Sequence, residues 1–396
     1  MRMHRILAHA ASDIIKTVFH ESKVLDHCLA KAFEANPKWG KRDRSFIAET
    51  CFEVVRWRRA LSFVAESEEV EALCAAQWRR MDYPLPEWWA YSGADADAMT
   101  SREAELPAQA RAIRESIPDW LDALGAEELG ARWDAELAAL NQRSRVYLRV
   151  NTLKTTRQGA IDWLASHNIV ATEVPQLPDA LALLPGKTLP KRLKMDGCVE
   201  IQDAGSQMIA PLLAPQAGEC IIDACAGAGG KSLHIAALMH NQGRIIAMDI
   251  VPRKLRELER RAQRAHPHLC IETHRIDAQT TTHYQGVADR LLIDAPCSGL
   301  GTLKRQPDLK WRLKPETIHK VQAIQAELLS TYTAMLKPGG RLVFATCSIL
   351  RSENHANIAP LIDQGGFHLS QECVISPAAS GYDGFYAAVL TKGVKL

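Results

Sequence analysis

Two cysteines lie in polar turns that follow strand-like runs of the chain. Cys297 lies in LLIDAPCSGLGT and Cys347 in LVFATCSIL. The carboxyl ends of strands in an open α/β sheet lie at the edge where ligands bind, so we expect both thiols to emerge there from neighbouring strands. A single cysteine is most often a small buried hydrophobe. The two together, in Pro-Cys-Ser and Thr-Cys-Ser turns, indicate chemistry.

Methyl transfer to a pyrimidine carbon is a reaction that needs such thiols. Carbon 5 of cytosine is too weak a nucleophile to attack a sulfonium methyl, but a thiolate that adds to carbon 6 transfers electron density to carbon 5. A base must then remove the carbon 5 proton so that the thiolate can leave. One cysteine can attack while the second assists release. An acid such as Asp294 can hydrogen-bond the ring and stabilise the adduct.

A glycine-rich turn, DACAGAGGKS, occupies residues 223 to 232. It is not a phosphate-binding P-loop, because Cys225 stands where that pattern requires its first glycine. The turn leaves a predicted buried strand, Cys220 to Asp223, and enters a predicted helix at about Lys231. This arrangement is typical of the first βα turn of a Rossmann-like sheet, where glycines let the backbone approach a ligand closely.

Two acids end the extended segments that follow the glycine turn. Asp249 lies 249 − 230 = 19 residues after Gly230, where an acid is placed to bind the two hydroxyls of a ribose. Asp277, in HRIDAQ, is placed to face an adenine amine. Acids and glycines at strand ends also serve as caps and turn formers. Together they predict a nucleoside cofactor; NAD and S-adenosylmethionine both fit, and the thiols favour the second, since hydride transfer has no need of them.

The elements that must position these residues alternate between strand and helix from about Ile201 onward. Such alternation predicts a Rossmann-like α/β domain with a parallel sheet covered by helices on both faces. The periodicity up to about residue 140 is helical. We therefore predict three parts: an all-helical domain over residues 1–140, a small α+β linker domain over 141–200, and the Rossmann-like domain over 201–396.

Composition sets limits on the setting and the partners of the chain. The net charge is +2, but Ala65 to Leu140 carries 17 acidic and 6 basic residues, which is −11 and leaves +13 for the rest. A polyanionic partner fits that remainder. The ten cysteines form no CxxC pair and the 14 histidines show no ligand spacing, so we expect no metal and a reducing, cytoplasmic setting. No apolar run reaches the ~18 residues of a membrane span, and the chain is expected to be a monomer with an amphipathic first helix.

Several stretches resemble the motifs of a known enzyme family, in the family's order. DACAGAGGKS, DAPCSGLGTLKRQPDLKW, ATCSILRSEN and DGFYAAVLTK are similar to motifs of the RNA 5-methylcytosine methyltransferases of the RsmB and Nop/Sun type. The similarity is strong over residues 199–392, including VEIQDAGSQMIAPLL, and moderate over PDWLDALG and YLRVNTLK. GKRDRSFIAETCFEVVRWRRAL resembles the NusB-like helical domain of the bacterial members.

The resemblance implies roles for matching residues. It implies that Cys347 is the nucleophile, that Cys297 promotes product release, and that S-adenosylmethionine is the cofactor. Lys231 is also placed to approach the cytosine. The resemblance also implies a set of cofactor contacts: Cys225, Ala226, Gly227, Ala228, Gly229, Gly230, Lys231, Asp249, Asp277 and Asp294. One departure is visible, because Gly227-Ala228 stands where the family often has Ala-Pro, and this implies a more flexible loop.

RNA is the expected partner. GTLKRQPDLKWRLKPE carries Lys304, Arg305, Lys310, Arg312 and Lys314 around Trp311; basic groups can hold phosphates and an aromatic ring can stack on an unpaired base. The alternative is a solvated loop with a packed tryptophan. The target cytosine must leave its stack to reach Cys347, and the resemblance implies that the NusB-like domain selects the RNA.

The predicted function is therefore methylation of carbon 5 of a cytosine in RNA, with small-subunit ribosomal RNA as the expected target. A transfer-RNA or DNA cytosine methyltransferase keeps the fold and changes the target. The DNA enzymes attack with the Pro-Cys thiol, so the activity of a Cys347→Ala variant distinguishes them. A non-catalytic RNA-binding assembly factor is the more distant alternative.

Overall fold

The computed structural model describes residues 3–91, 93 and 95–394. The chain divides into two compact units, the first comprising Met1–Gln142 and Leu303–Pro315 and the second Arg143–Thr302 and Glu316–Leu396. Within the described ranges, no helix is both long and apolar enough to cross a membrane.

The first unit is built from helices, as the periodicity predicted. Its largely aliphatic core contains a group of aromatic rings: the centroid of the Trp78 ring lies 6.0 Å from that of Phe46 and 4.8 Å from that of Trp89. The first helix buries Ile14 and Ile15 on the predicted face. The helices are α1 (Arg5–Glu21), α2 (Leu25–Ala35), α3 (Lys41–Arg56), α4 (Arg58–Ala65), α5 (Val70–Arg80), α6 (Ala96–Glu105), α7 (Arg111–Arg114), α8 (Asp119–Leu129), α9 (Trp133–Leu140) and, from the later segment, α16 (Leu309–Arg312).

A small antiparallel sheet opens the second unit. Its strand order is β2-β3-β1-β4, and the strands are β1 (Tyr147–Val150), β2 (Ala171–Glu173), β3 (Ala180–Leu183) and β4 (Val199–Ile201). Helix α10 (Arg157–Ser166) connects β1 to β2 and buries Ala160 and Leu164 in a core shared with Leu148 of β1. Short extended segments between residues 147 and 201 therefore pair as a small sheet.

The larger sheet has seven strands in the order β10-β11-β9-β8-β5-β6-β7. The strands are β5 (Cys220–Asp223), β6 (Arg244–Asp249), β7 (Ile271–Arg275), β8 (Ala288–Asp294), β9 (Leu336–Thr346), β10 (Phe367–Ile375) and β11 (Phe385–Lys392). The helices of this unit's later part are α11 (Ala204–Gln207), α12 (Ile209–Leu212), α13 (Gly230–Leu238), α14 (Pro252–Ala265), α15 (Thr280–His283), α17 (Pro315–Tyr332), α18 (His355–Asp363) and α19 (Pro377–Ser380). This confirms the Rossmann-like α/β fold.

The sheet departs from a fully parallel arrangement at one side. Strands β5 to β9 pair in parallel, whereas β11 pairs antiparallel with both β9 and β10. Strands β10 and β11 are joined by a short connection that carries only α19, and a connection of that length joins antiparallel neighbours.

Apolar cores cover both faces of the larger sheet. Ile222 and Ile221 of β5 are fully buried and belong to the two different cores, one on each face. A strand that is buried on both faces reads as a continuous apolar run and not as an alternation. This is why CIID lacks the period-two pattern, and it leaves Asp223 at the strand end as a buried acid.

Candidate active site

The two cysteine turns follow adjacent parallel strands. Strands β8 and β9 are paired so that Asp294 lies opposite Ala345, and the Ala295 amide donates a hydrogen bond to the Ala345 carbonyl at 2.8 Å. The Sγ atoms of Cys297 and Cys347 lie 3.2 Å apart, and both side chains are partly exposed. The expectation that both thiols emerge at one edge of the sheet is confirmed.

Cys347 affects the charge state of Cys297. The hydrogen bond to Cys347 is the largest cause that raises the pKa of Cys297 well above its ordinary value, and burial adds to it. Two thiolates at this separation would repel each other, so ionisation of both sulfurs together is disfavoured. Cys297 therefore stays a protonated thiol, and it lies in hydrogen-bond contact with the Cys347 sulfur.

A lysine and an aspartate form an ion pair at the same edge. Lys231 is the second residue of α13 and its Nζ lies 2.6 Å from Oδ2 of Asp294, the last residue of β8. The ammonium also lies 5.3 Å from the centroid of the Phe385 ring. A lysine this buried needs a charged partner and an electron-rich face to offset its lost hydration. The pair fixes a carboxylate at the end of β8 and an ammonium at the start of α13, beside the Pro-Cys turn.

The glycine turn is held in a conformation that favours glycine. Gly227 and Gly229 have φ values of +56° and +82°. A Cβ on Gly229 would lie 2.4 Å from Cγ of Leu258, whereas a Cβ on Gly227 would meet no atom within 4 Å. Gly229 is therefore required by packing, and Gly227 borders open space into which a ligand can fit.

Asp249 is locked in place next to this turn. Its Oδ2 accepts from the Gly227 amide at 3.0 Å and its Oδ1 from the Val251 amide at 2.8 Å. Each carboxylate oxygen has more than one lone pair, so both retain acceptor capacity for hydroxyl groups. The acid predicted to bind a ribose is thus buried, oriented and joined to the glycine turn.

Cys225 and Ala226 form the start of the same turn. Burial raises the pKa of the Cys225 thiol, which therefore stays protonated. The Ala226 amide donates to the Met248 carbonyl at 2.8 Å and so ties the turn to β6. Both residues support the shape of the loop.

Asp277 follows β7 as expected, but its side chain is already engaged. The carboxylate is exposed, and its Oδ1 accepts from the Thr280 hydroxyl and the Gln279 amide, each at 2.9 Å. The hydrogen bond from Thr280 lowers the pKa of Asp277. Asp277 caps the turn that leads into α15, and its contact with an adenine stays a prediction.

Two arginines hold the carbonyls of the glycine turn. Arg261 donates to the Ala228 carbonyl at 2.7 Å, and Arg149 of the small sheet donates to the Gly230 carbonyl. Glu200 accepts from Arg261 at 2.9 Å. Burial lowers the pKa of Arg149 to about 10. The sequence did not indicate the hydrogen bond from Arg149 to Gly230, because 81 residues separate the two.

Asp223 is a further acid that the motif search left without a role. It is fully buried, its Oδ2 accepts from the Ser232 hydroxyl at 2.7 Å, and its Oδ1 has no hydrogen-bond partner among the described residues. Burial raises its pKa to about 7, and the charge of Asp294 adds to the shift. A buried acceptor without a partner fits a ligand that carries a cationic donor.

The basic segment after the Pro-Cys turn is used differently from the RNA contact that the sequence indicated. Lys310 is buried in the first unit, where its Nζ donates to the Arg56 carbonyl at 2.8 Å and to Asn141 Oδ1 at 3.1 Å. The Trp311 indole donates to the Val55 carbonyl at 2.7 Å, and Lys304 is also buried. For Lys310 the interpretation as part of an RNA surface was wrong, because its side chain is buried and hydrogen bonding inside the helical unit occupies it. Arg305 and Lys314 are exposed.

The sheet, the glycine turn and the acid at the end of β6, together with the two adjacent thiols, define a methyltransferase of the Rossmann-like class. Comparison with known proteins gives its family. Residues 210–391 match the family model for 16S rRNA methyltransferase RsmB/F, and residues 117–187 match the ferredoxin-like domain of RsmF/B-like methyltransferases. The second match begins 24 residues before the small α+β domain predicted at 141, since 141 − 117 = 24.

Individual relatives agree with this match. The chain is 30% identical to the ribosomal RNA small subunit methyltransferase B of Xanthomonas campestris, over 97% of this chain and 96% of that protein. It is 40% identical to a probable ribosomal RNA small subunit methyltransferase B of Synechocystis, where the match spans 61% of this chain and only 55% of the relative. A methyltransferase homolog protein from Pyrococcus horikoshii superposes with a TM-score of 0.63 at 25% identity, over 71% of this chain and 97% of that one.

The chain belongs to the RsmB/F family of 16S rRNA methyltransferases. The methyl donor is S-adenosylmethionine, and the residues of the site fit it. The open space at Gly227 and the two oriented oxygens of Asp249 suit a nucleoside. Over the described ranges, no cluster of three or more His, Cys, Asp or Glu side chains suits a metal ion.

Proposed function

We propose that this protein methylates carbon 5 of a cytosine in small-subunit ribosomal RNA. The observation that carries the proposal is the pair of sulfur atoms 3.2 Å apart at the carboxyl ends of β8 and β9. S-adenosylmethionine supplies the methyl group when it is bound. A cytoplasmic setting and a monomeric state are part of the same proposal, and the ten free cysteines suit a reducing compartment.

The steps follow from the positions of the side chains. The Cys347 thiolate adds to carbon 6 of a cytosine that has left its stack, and electron density moves to carbon 5. Asp294, held by Lys231, hydrogen-bonds the ring and stabilises the adduct. After methylation, a base removes the carbon 5 proton, the electron pair of that bond restores the double bond between carbons 5 and 6, and the Cys347 sulfur leaves as a thiolate. Cys297 assists this release, and its place beside Cys347 supports that role.

Replacement of each cysteine tests the assignment. Cys347→Ala removes the nucleophile, so methylation should fall by more than about 10³-fold and the covalent RNA adduct should disappear. Cys297→Ala removes the release residue, so a protein–RNA adduct should accumulate on denaturing gels. Bisulfite sequencing of RNA from cells with and without each variant locates the modified cytosine.

A cysteine away from this edge gives the matched control. Cys373 lies on β10 and is not part of the pair, so Cys373→Ala should methylate as the wild type does. Persistent turnover in Cys347→Ala together with loss in Cys297→Ala would point to the DNA-type order of attack. RNA binding without methyl transfer by the wild type would favour an assembly factor. If only transfer RNA were methylated, the proposed substrate would be wrong and the proposed two-cysteine reaction would stand.

A further inference from the structure

One buried carboxylate contacts both cysteine turns. Glu353 lies in the short 3-10 turn Arg351–Glu353 and is 0% exposed. Its Oε2 accepts from the amide of Ser298 at 2.7 Å, and its Oε1 accepts from the hydroxyl of Ser348 at 2.6 Å. Ser298 and Ser348 are the residues that directly follow Cys297 and Cys347. The two serine hydroxyls also lie 3.1 Å from each other, which closes a ring around the carboxylate.

The residues that precede the cysteines are held by the same buried network. Gln325 of α17 donates to Glu353 Oε2 at 3.1 Å and to the carbonyl of Pro296 at 2.9 Å. Asn357 donates to Gln325 Oε1 at 2.7 Å, which fixes the orientation of that amide. Both neighbours of Cys297 are therefore linked to Glu353 directly or through one side chain.

The turn that carries Cys347 is held in a similar way. Thr346 donates to Asn354 Oδ1 at 2.6 Å, and Asn354 Nδ2 donates to the Ser348 carbonyl at 3.1 Å. Asn354 directly follows Glu353 in the chain. A carboxylate without exposure to water is costly unless several donors satisfy it. The donors that satisfy the buried Glu353 carboxylate come from the two cysteine turns, so its position between these turns accounts for its presence there.

We propose that Glu353 is a positioning residue that sets the separation of the Cys297 and Cys347 sulfurs by joining the turns that carry them. It contacts neither sulfur directly, and it acts through Ser298 and Ser348. The inference rests on the proposed two-cysteine reaction. The charge of Glu353 also raises the pKa of Cys297, although the hydrogen bond to Cys347 and burial have larger effects. This helps to keep the Cys297 thiol protonated.

Two variants separate the reach of this side chain from its charge. Glu353→Asp keeps the charge but is one methylene shorter, so it cannot span both turns. Glu353→Gln keeps the reach: its carbonyl oxygen can accept from the Ser298 amide, and its amide group can donate to Ser348, since a hydroxyl both donates and accepts. We expect kcat to fall about 10²-fold in Glu353→Asp, because small misplacements of reacting groups have effects of that size. Glu353→Gln should stay within about tenfold of the wild type.

A thiol-bridging reagent measures the sulfur separation without any methyl transfer. Phenylarsine oxide reacts with two neighbouring thiols, forming two As–S bonds while both thiol protons leave with the arsenic oxygen as water. Intact-mass spectrometry should show one phenylarsenic group on the wild type and on Glu353→Gln, and much slower bridging in Glu353→Asp. Cys297→Ser should abolish that adduct, which assigns it to this pair.

The controls separate positioning from a general loss of fold. Asp289→Ala removes a carboxylate at the opposite end of β8, where Oδ2 accepts from the Cys220 amide, and it should leave bridging unchanged. Calorimetric affinity for S-adenosylmethionine should be the same in both Glu353 variants. Bridging of Glu353→Asp at the wild-type rate, or loss of bridging in Glu353→Gln alone, would overturn the positioning role. A wild type that bridges but never methylates would refute the proposed function and leave the positioning role standing.

Discussion

At the scale of single residues, burial disfavours the charged form of one acid at a strand end, Asp223. Asp249 accepts two backbone amides, whereas Asp223 accepts a single hydroxyl and leaves one oxygen without a partner among the described residues. The second environment does not offset the loss of hydration. Burial therefore raises the pKa of Asp223 from 3.8 to about 7.

The raised pKa makes the contribution of Asp223 to stability depend on pH. The folded state binds the proton more tightly than the unfolded state, so this contribution is fully present below pH 3.8 and is lost as pH rises through about 7. Asp223→Asn removes the ionisable group while it keeps an acceptor for Ser232. At a pH of about 8, the variant should be more stable than the wild type by an amount on the order of 3 kcal/mol.

Urea unfolding at several pH values measures this difference. The advantage of Asp223→Asn should shrink steadily as the pH falls from about 8 towards 4. Asp277→Asn is a suitable comparison, because the pKa of that exposed acid is lowered from 3.8, so its contribution to stability should not vary between these pH values. If the stability advantage of Asp223→Asn did not vary with pH, burial would not raise the pKa of the Asp223 carboxyl in the wild type.

At the scale of elements, the glycine turn shows how packing and backbone conformation act together. Gly229 precedes α13 with a φ of +82°, and a Cβ there would clash with Leu258 of α14. Gly229→Ala should therefore lower the free energy of unfolding by more than the ~1 kcal/mol that a left-handed conformation alone costs. Relief of this clash should displace the glycine turn between β5 and α13, and the displaced turn should bind S-adenosylmethionine more weakly.

Another glycine separates the two causes. Gly286 has a φ of +63°, and a Cβ there would meet no atom within 4 Å. Gly286→Ala should show only the backbone cost, with unchanged cofactor affinity. Chemical denaturation and calorimetry on both variants give the comparison. Equal effects of the two substitutions would mean that the contact with Leu258 does not shape the loop.

At the scale of the whole molecule, position in the sequence gives little information about which unit a segment joins. Leu303–Pro315 follows the Cys297 turn directly, yet it belongs to the helical unit, where Lys310 and Trp311 bond to carbonyls of α3. Burial lowers the pKa of Lys310 well below its ordinary value of 10.5. The basic residues that looked like an RNA contact therefore include groups that stabilise the fold.

Lys310→Met tests this structural role. The folded state disfavours the ammonium form, so the stability of the wild type relative to the variant should rise as pH increases from about 7 to about 10. Affinity for a cytosine-containing single-stranded RNA, and the salt dependence of that affinity, should not change. Circular dichroism during denaturation and filter binding measure the two quantities.

The exposed lysine of the same segment is the matched control. Lys314 is exposed and lies four residues further along. If this end of the segment contacts phosphate, Lys314→Ala should reduce the salt slope of RNA binding by about 1. A reduced slope in Lys310→Met, with its fold intact, would restore the RNA interpretation of Lys310.

The sequence by itself determined the fold class, the cofactor type and the cysteine pair. These follow from local patterns: the glycine turn, acids at strand ends, and the alternation of strand and helix, which all depend on residues close to one another in the chain. Even the adjacency of Cys297 and Cys347 was predictable, because equivalent positions at the ends of parallel strands share one edge.

Only the tertiary structure decided which polar groups are buried and what they contact. Glu353 stood within ATCSILRSEN without an assigned role, because its reach to Ser298 crosses 55 residues of sequence. Arg149 and Lys310 likewise acquire their partners from segments far away in the chain. Burial and long-range hydrogen bonding depend on how elements pack, and no local spacing records them.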